Sequence, residues 1–203
     1  TTCSFTVNEN GHVSGDTVLR NDFTRFTLKK VGEHNEPLTG VAFSLKDVRV
    51  AVVATVLTDA DGIAMFEKIP YGSYTVVESK LLPGYLPSGV QVTLTLDGTF
   101  VNPTDPIAVI PNERMKLTFK KVDTAGNQLA GISFTLIDAQ SGTVAAHAVS
   151  DEKGEFEITG FTVGDWILRE DEAPEGFNLM NDYSFRVGYN WKNDQTVTLV
   201  NIP

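Results

Sequence analysis

The chain has 203 residues and a net charge of −10, with 16 Lys and Arg against 26 Asp and Glu. Nucleic acid is an unsuitable partner for that balance, because phosphate binding needs clustered cations, and the only adjacent ones, Lys29–Lys30 and Lys120–Lys121, sit inside strand patterns. One cysteine, Cys3, excludes an internal disulfide, and the longest apolar run is too short to span a bilayer, so no membrane insertion is expected.

Nine prolines and seventeen glycines interrupt stretches rich in Val, Thr, Phe and Tyr, a mixture that favours many short strands. The chain begins in the middle of a pattern and reads as an excised fragment. Ser4-Phe5-Thr6-Val7 matches Ser184-Phe185-Arg186-Val187, and an Asn follows each Phe by sixteen residues, Asn21 in one case and Asn201 in the other. Residues 1–22 are therefore expected to be the closing hairpin of a truncated preceding domain, with Asn21 at a position whose partners lie outside the chain.

The next two stretches repeat each other. Phe26-Thr27-Leu28-Lys29-Lys30-Val31 recurs as Leu117-Thr118-Phe119-Lys120-Lys121-Val122, and the segment Pro37–Leu45 as Gln128–Leu136. Thr58-Asp59-Ala60-Asp61-Gly62 recurs as Ser150-Asp151-Glu152-Lys153-Gly154, and Tyr74–Glu78 as Trp166–Glu170. Lys30 and Lys121 are 91 residues apart, as are Gly40 and Gly131, while Gly62 and Gly154 are separated by 92, as are Glu78 and Glu170. Constant spacing over a whole domain length predicts two tandem domains, 23–113 and 114–203, with almost no linker. Inside each, apolar residues alternate with period two and turn signals recur every eight to twelve residues, the pattern of an antiparallel β-sandwich. The predicted class is all-β.

Three polar residues in each copy occupy positions where the alternation asks for an apolar one. Lys30 shares a face with Phe26 and Leu28, Glu78 with Tyr74 and Val76, and Asn112 with Ala108 and Ile110. Their counterparts are Lys121, Glu170 (with Trp166 and Leu168) and Asn201 (with Val197 and Leu199). An inward charge is costly unless paired, so an amine, a carboxyl and a carboxamide pointing inward twice require a joint explanation. A one-residue slip would put Lys29 and Lys120 inward instead.

These segments resemble the Cna-B (SpaA-type) repeat domains of Gram-positive pilins and surface adhesins, tandem Ig-like or prealbumin-like sandwiches. The resemblance rests on Lys121-Val122-Asp123, on Trp166 to Glu170 followed by Ala173-Pro174-Glu175-Gly176-Phe177, and on the closing Val200-Asn201. The first copy departs from the pattern at Gly32, at Leu82-Pro83-Gly84-Tyr85 and at Pro111, which precedes Asn112. The resemblance implies a spontaneous isopeptide cross-link between Lys30 and Asn112 and between Lys121 and Asn201, promoted by Glu78 and Glu170. The ingredients are physically apt: burial favours the neutral, nucleophilic amine, and a carboxyl in apolar surroundings can hydrogen-bond the carboxamide oxygen and shuttle protons. Pro111 and Gly32 make the first copy the less regular of the two.

The resemblance further implies a structural stalk of a cell-wall-anchored, extracellular protein, reacting once per domain and not turning over. Its partners would be neighbouring domains or pilus subunits. A ligand-binding adhesin module recognising a host protein or glycan is the alternative, with Trp191 beside Tyr189 as its best binding patch; a transthyretin-like accessory domain of a secreted enzyme is a third. His12, His34 and His147 are isolated, so no metal is expected. Asp59-x-Asp61-Gly62 reads as a β-turn in preference to a calcium loop, and no nucleotide loop or hydrolase motif calls for a cofactor.

Overall fold

A computed structural model describes residues 4–15 and 23–203. The described residues are all-β, and none forms a helix long and apolar enough to cross a membrane. Strands β1 (Phe5–Val7) and β2 (Val13–Gly15) pair antiparallel as a two-stranded hairpin whose residues are exposed. In the later repeat Phe185 and Asn201, the counterparts of Phe5 and Asn21, stand on strands of opposite sheets. Asn21 lies outside the described residues.

The remaining chain forms two sandwiches of the same design. In the first, β3 (Arg25–Val31), β4 (Ala42–Asp47), β5 (Val52–Leu57), β6 (Ile63–Glu67), β7 (Gly72–Lys80), β8 (Gln91–Leu96) and β9 (Val109–Pro111) divide into a three-stranded sheet, β6-β3-β9, and a four-stranded sheet, β5-β4-β7-β8. In the second, β10 (Leu117–Asp123), β11 (Ser133–Asp138), β12 (Val144–Val149), β13 (Glu155–Ile158), β14 (Gly164–Glu170), β15 (Tyr183–Val187) and β16 (Thr196–Asn201) give β13-β10-β16 and β12-β11-β14-β15. All pairings are antiparallel except that the last strand of each sandwich runs parallel to its first, β9 beside β3 and β16 beside β10. A parallel partner cannot be reached by a tight turn, so the chain crosses to the other sheet and back before it closes.

The inward faces carry the cores. Phe26, Leu28, Phe43, Leu45, Phe66, Val76, Leu96 and Ile110 are buried together in the first, with Phe26 and Phe66 stacked at 5.0 Å. The second is more aromatic: Phe119 and Phe134 flank Phe156 at 5.1 and 4.4 Å, and Phe161, Trp166 and Phe185 extend the cluster. Trp191, read from sequence as part of a binding patch, packs edge-on against Phe161 at 5.4 Å and donates Nε1–H to Lys116 O. Trp191 is half-buried against the second core, while Tyr189 is 91% exposed.

The turn at Asp59 fixes the first strand. Asp59 Oδ1 accepts from the amides of Asp61 and Ile63, and Asp151 Oδ1 does the same for Lys153 and Glu155; the carboxylates cap backbone turns. The turns deliver Gly62 O to Lys30 N and Gly154 O to Lys121 N, both at 2.7 Å. The glycines also lie against the lysine carbonyls: a Cβ on Gly62 would stand 2.3 Å from Lys30 O, and one on Gly154 2.4 Å from Lys121 O, at φ of 74° and 72°.

Alanine at Gly62 or Gly154 therefore combines a left-handed backbone with a backbone clash and should cost at least about 2 kcal/mol. Gly126→Ala, at φ 85° with nothing within 4 Å, should cost about 1 kcal/mol. Thermal or urea unfolding of the three variants checks the difference.

Candidate functional site

Each sandwich encloses one polar cluster, assembled from both sheets. Lys30 stands on β3, the centre of the three-stranded sheet, and Asn112 follows β9, the parallel strand beside it. Lys30 pairs with Ile110, so Asn112 lies two residues farther along on the same face. Glu78 reaches across from β7 in the facing sheet, where it pairs with Phe43. In the second sandwich β10, β16 and β14 present Lys121, Asn201 and Glu170 in the same way. Lys29 and Lys120 are on the half-exposed outer faces, where Lys120 lies near Glu155, so the register selects Lys30 and Lys121.

Burial is nearly complete. Lys30 and Lys121 have no exposed surface, Asn112 and Asn201 are 2% and 1% exposed, and Glu170 is 1% exposed. In the first cluster Lys30 Nζ is 2.5 Å from Asn112 Oδ1 and 3.6 Å from Glu78 Oε2, and it donates to Ile110 O at 3.1 Å. Asn112 Nδ2 donates to Glu78 Oε1 at 2.9 Å, closing a triangle of amine, carboxyl and carboxamide. Pro111 does not disturb it. The ladder donor is Asn112 N, which bonds Val31 O at 2.9 Å; by alternation the proline nitrogen faces away from β3 on an edge strand, where no donor is needed.

The second cluster has the same members in a looser arrangement. Lys121 Nζ is 3.1 Å from Glu170 Oε1 and 3.0 Å from Met180 Sδ, and lies 5.6 Å from the Phe134 ring centroid. Glu170 Oε2 accepts from Met180 N at 2.9 Å and from Asn201 Nδ2 at 3.2 Å. Asn201 Nδ2 also donates to Asn178 O, while Asn201 Oδ1 is buried with no donor among the described residues. Sequence reasoning singled out neither Met180 nor Ser88, whose Oγ donates to Glu78 Oε2 at 3.3 Å. The 92-residue spacing that relates Glu78 to Glu170 also relates Ser88 to Met180, and that spacing was the available signal.

Electrostatics follow from the burial. Both lysines bind their proton less tightly than a free side chain because desolvation penalises the ammonium; the facing glutamate opposes the shift without cancelling it. One geometric detail differs from the sequence expectation: in both clusters the carboxyl lies beside the carboxamide nitrogen and not its oxygen. The carboxyl oxygens accept from the NH2 donors, and in the first cluster this leaves the carbonyl to the amine.

Position 32, where Gly replaces the patterned Asp, is remote from this chemistry. Asp123, its counterpart, caps the turn after β10 by accepting from the amides of Ala125 and Asn127 and from Asn127 Nδ2, each at 2.8 Å. In the first sandwich the carboxylate comes from Glu36 instead and fills the space a side chain at 32 would need, since a Cβ there would lie 2.1 Å from Glu36 Oε1. Among the described residues no group of three His, Cys, Asp or Glu could hold a metal ion.

Comparison with known proteins bears on both sandwiches. The model of the SpaA prealbumin-like fold domain matches residues 24–105 and again 115–203. The serine-aspartate repeat-containing protein F of Staphylococcus epidermidis is 26% identical over 160 residues, covering 68% of this chain and 10% of its own length. The serine-aspartate repeat-containing protein D of Staphylococcus aureus is 29% identical over 163 residues, with 69% and 12% coverage. The chain thus spans about a tenth of the length of these curated relatives. Among solved structures, the Bacillus anthracis TIE protein superposes with a TM-score of 0.51 at 24% identity, covering 89% of this chain and 34% of that one, which shows a shared fold. With both sandwiches matched by one family model over most of the sequence, the chain belongs to the SpaA family of prealbumin-like domains.

Proposed function

We propose that the chain is a stalk segment of a Gram-positive cell-surface protein, a pilin or adhesin, in which 23–113 and 114–203 are successive Cna-B-like domains and each lysine–asparagine pair becomes an isopeptide bond. The observation that carries this reading is that in both sandwiches one carboxyl lies against both the lysine amine and the asparagine carboxamide, with amine and carboxamide also in direct contact in the first. The neutral lysine amine adds to the Asn Cγ. The glutamate carboxyl, beside both nitrogens, accepts a proton from the lysine nitrogen and delivers it to the amide nitrogen. The C–Nδ2 bond breaks, ammonia leaves, and the lysine nitrogen remains as a secondary amide. The fold supplies contact, which replaces a bimolecular amide exchange by an intramolecular step. Each domain reacts once, so the chain does not act as a turnover enzyme.

The mechanical consequence follows from topology. Strands β3 and β9 are parallel neighbours at the beginning and end of one sandwich, as are β10 and β16. Tension applied to the two chain ends would shear these strands along each other. A Lys–Asn amide between them diverts that load from ladder hydrogen bonds to a covalent bond. The Lys30–Asn112 link spans 82 residues, and on the chain-entropy treatment used for disulfides a loop of that length contributes about 4–5 kcal/mol. The protein would sit outside the cell, anchored to the wall, with neighbouring domains or subunits as its partners.

Intact mass spectrometry of the folded chain should give the sequence mass less two ammonias. Lys121→Ala, Glu170→Ala and Asn201→Ala should each restore one, as should the changes at Lys30, Glu78 and Asn112. Full mass in folded wild-type protein would overturn the reading.

The lysines also set a pH dependence. Burial lowers their folded pKa below the ordinary 10.5, so the reactive free amine is lost as pH falls through the lowered value. Bond formation in freshly synthesised chain should therefore rise with pH and level off before 10.5. Mass-spectrometric time courses across buffers check this, and a rate that falls with rising pH would contradict it. Until the bond forms, the folded state binds fewer lysine protons than the unfolded one between the lowered value and 10.5, so the lysine contribution to stability increases with pH across that window.

A further inference from the structure

The connection between the sandwiches, residues 113–116, is gripped from both sides. Leu86 N donates to Glu113 O at 2.8 Å and Met115 N to Gly84 O at 2.7 Å, so that Tyr85 pairs with Arg114 as a short antiparallel bridge. From the second sandwich, Asn193 Nδ2 donates to Arg114 O at 2.8 Å, Asn193 Oδ1 accepts from Lys116 N at 2.9 Å, and Trp191 Nε1 reaches Lys116 O at 3.2 Å. The Arg114 guanidinium lies over the Tyr85 ring, 5.4 Å from its centroid, and 3.5 Å from Glu36 Oε1. A connection with this many paired backbone groups behaves as a structural element.

The loop between β7 and β8 that makes this joint also serves the first polar cluster. Leu82 and Tyr85 pack on the first core, whereas Leu86 packs on the second. Two residues later Ser88 donates to Glu78 Oε2, the oxygen facing Lys30, and leaves Oε1 for Asn112 Nδ2. The hydroxyl thereby fixes the rotation of the carboxyl. The second sandwich uses the side chain at the equivalent loop position differently. Asn178, related to Leu86 by the 92-residue spacing, bonds Ile202 O through its amide and Pro203 O through Nδ2, and Met180 N then holds Glu170. That loop is tied to its own closing segment. The first loop makes the same backbone bond to its closing segment, Leu86 N to Glu113 O, but carries an apolar side chain where Asn178 stands, and that side chain packs on the neighbouring core.

We infer that the second sandwich positions the first reactive cluster: docking of Leu86 against the second core seats Ser88 on Glu78, so Lys30–Asn112 ligation follows the folding of the next domain, whereas Lys121–Asn201 ligation does not depend on the joint. The inference rests on the isopeptide reading above. Ser88 and Leu86 are positioning residues, since Ser88 acts through Glu78 and Leu86 through the second core.

The test uses the full chain made by pulsed cell-free synthesis, with each cross-link followed separately by tryptic mapping. The Lys121–Asn201 bond serves as an internal clock. A hydrogen bond to a carboxylate is worth about 1.5–3 kcal/mol, so Ser88→Ala should slow Lys30–Asn112 formation roughly tenfold to a hundredfold. Leu86→Ala should slow the same bond and leave the second unchanged. Equal slowing of both bonds, or an unchanged first bond in Leu86→Ala, would overturn the inference. Amide hydrogen exchange gives a readout independent of ligation: the Leu86 and Met115 amides should be protected in the wild type and exposed in Leu86→Ala, and unprotected wild-type amides would overturn the coupling. Absence of both bonds in the wild type would instead overturn the reading of the clusters, with the exchange result still deciding whether the joint orders the loop.

Discussion

A lysine amine with no exposed surface, held between two sheets of a small sandwich, is the constraint around which each half of this molecule is arranged. An ammonium removed from water carries a penalty of several kcal/mol unless it is paired and hydrogen-bonded. Lys30 meets that requirement with Glu78 from the facing sheet and Asn112 from the neighbouring strand, and Lys121 with Glu170 and the Met180 sulfur. The requirement fixes much else. The lysine must sit on a central strand, its asparagine on a parallel partner, and its glutamate opposite both. The backbone of each lysine is pinned by a turn glycine whose hydrogen atom alone fits against the lysine carbonyl. On the proposed chemistry, amide formation also removes the buried charge, so the step that strengthens the fold relieves its main electrostatic cost.

On the proposed function, the topology would give that arrangement mechanical meaning. Because each sandwich begins and ends on adjacent parallel strands, the chain enters and leaves it along one line, and a link between those strands lies directly on the load path. The connection between sandwiches is short and paired on both sides, with Arg114 held by Tyr85 and Glu36. A force transmitted from one sandwich to the next thus meets few groups free to reorient before it reaches the lysine–asparagine pair.

The two copies reach equivalent clusters by different local means, and the differences fall around the joint. Glu36 supplies a turn carboxylate that the second copy takes from Asp123, and in doing so comes within reach of Arg114. Ser88 holds Glu78 where a backbone amide holds Glu170. Lys30 contacts the asparagine oxygen, whereas Lys121 turns toward the soft sulfur of Met180. In the first sandwich, Glu36 and Leu86 both reach the joint with the second.

Much of this was legible in the sequence. Period-two alternation put Lys30, Glu78 and Asn112 on apolar faces, and the 91- and 92-residue spacings repeated the assignment at Lys121, Glu170 and Asn201; both signals are local or additive, so one chain suffices to read them. The class of fold followed for the same reason. What sequence reasoning could not supply was which atoms meet. It could not see that Trp191, offered as a patch residue, packs half-buried against Phe161 and Phe185. It treated Pro111 and Gly32 as defects because the direction of a strand's donors and the reach of Glu36 depend on neighbouring strands. It missed Ser88, Met180 and the double role of Leu86, whose contacts cross between sheets and sandwiches. Periodicity determines which face a residue occupies; only tertiary packing decides what stands opposite it, because that partner is set by how distant strands dock.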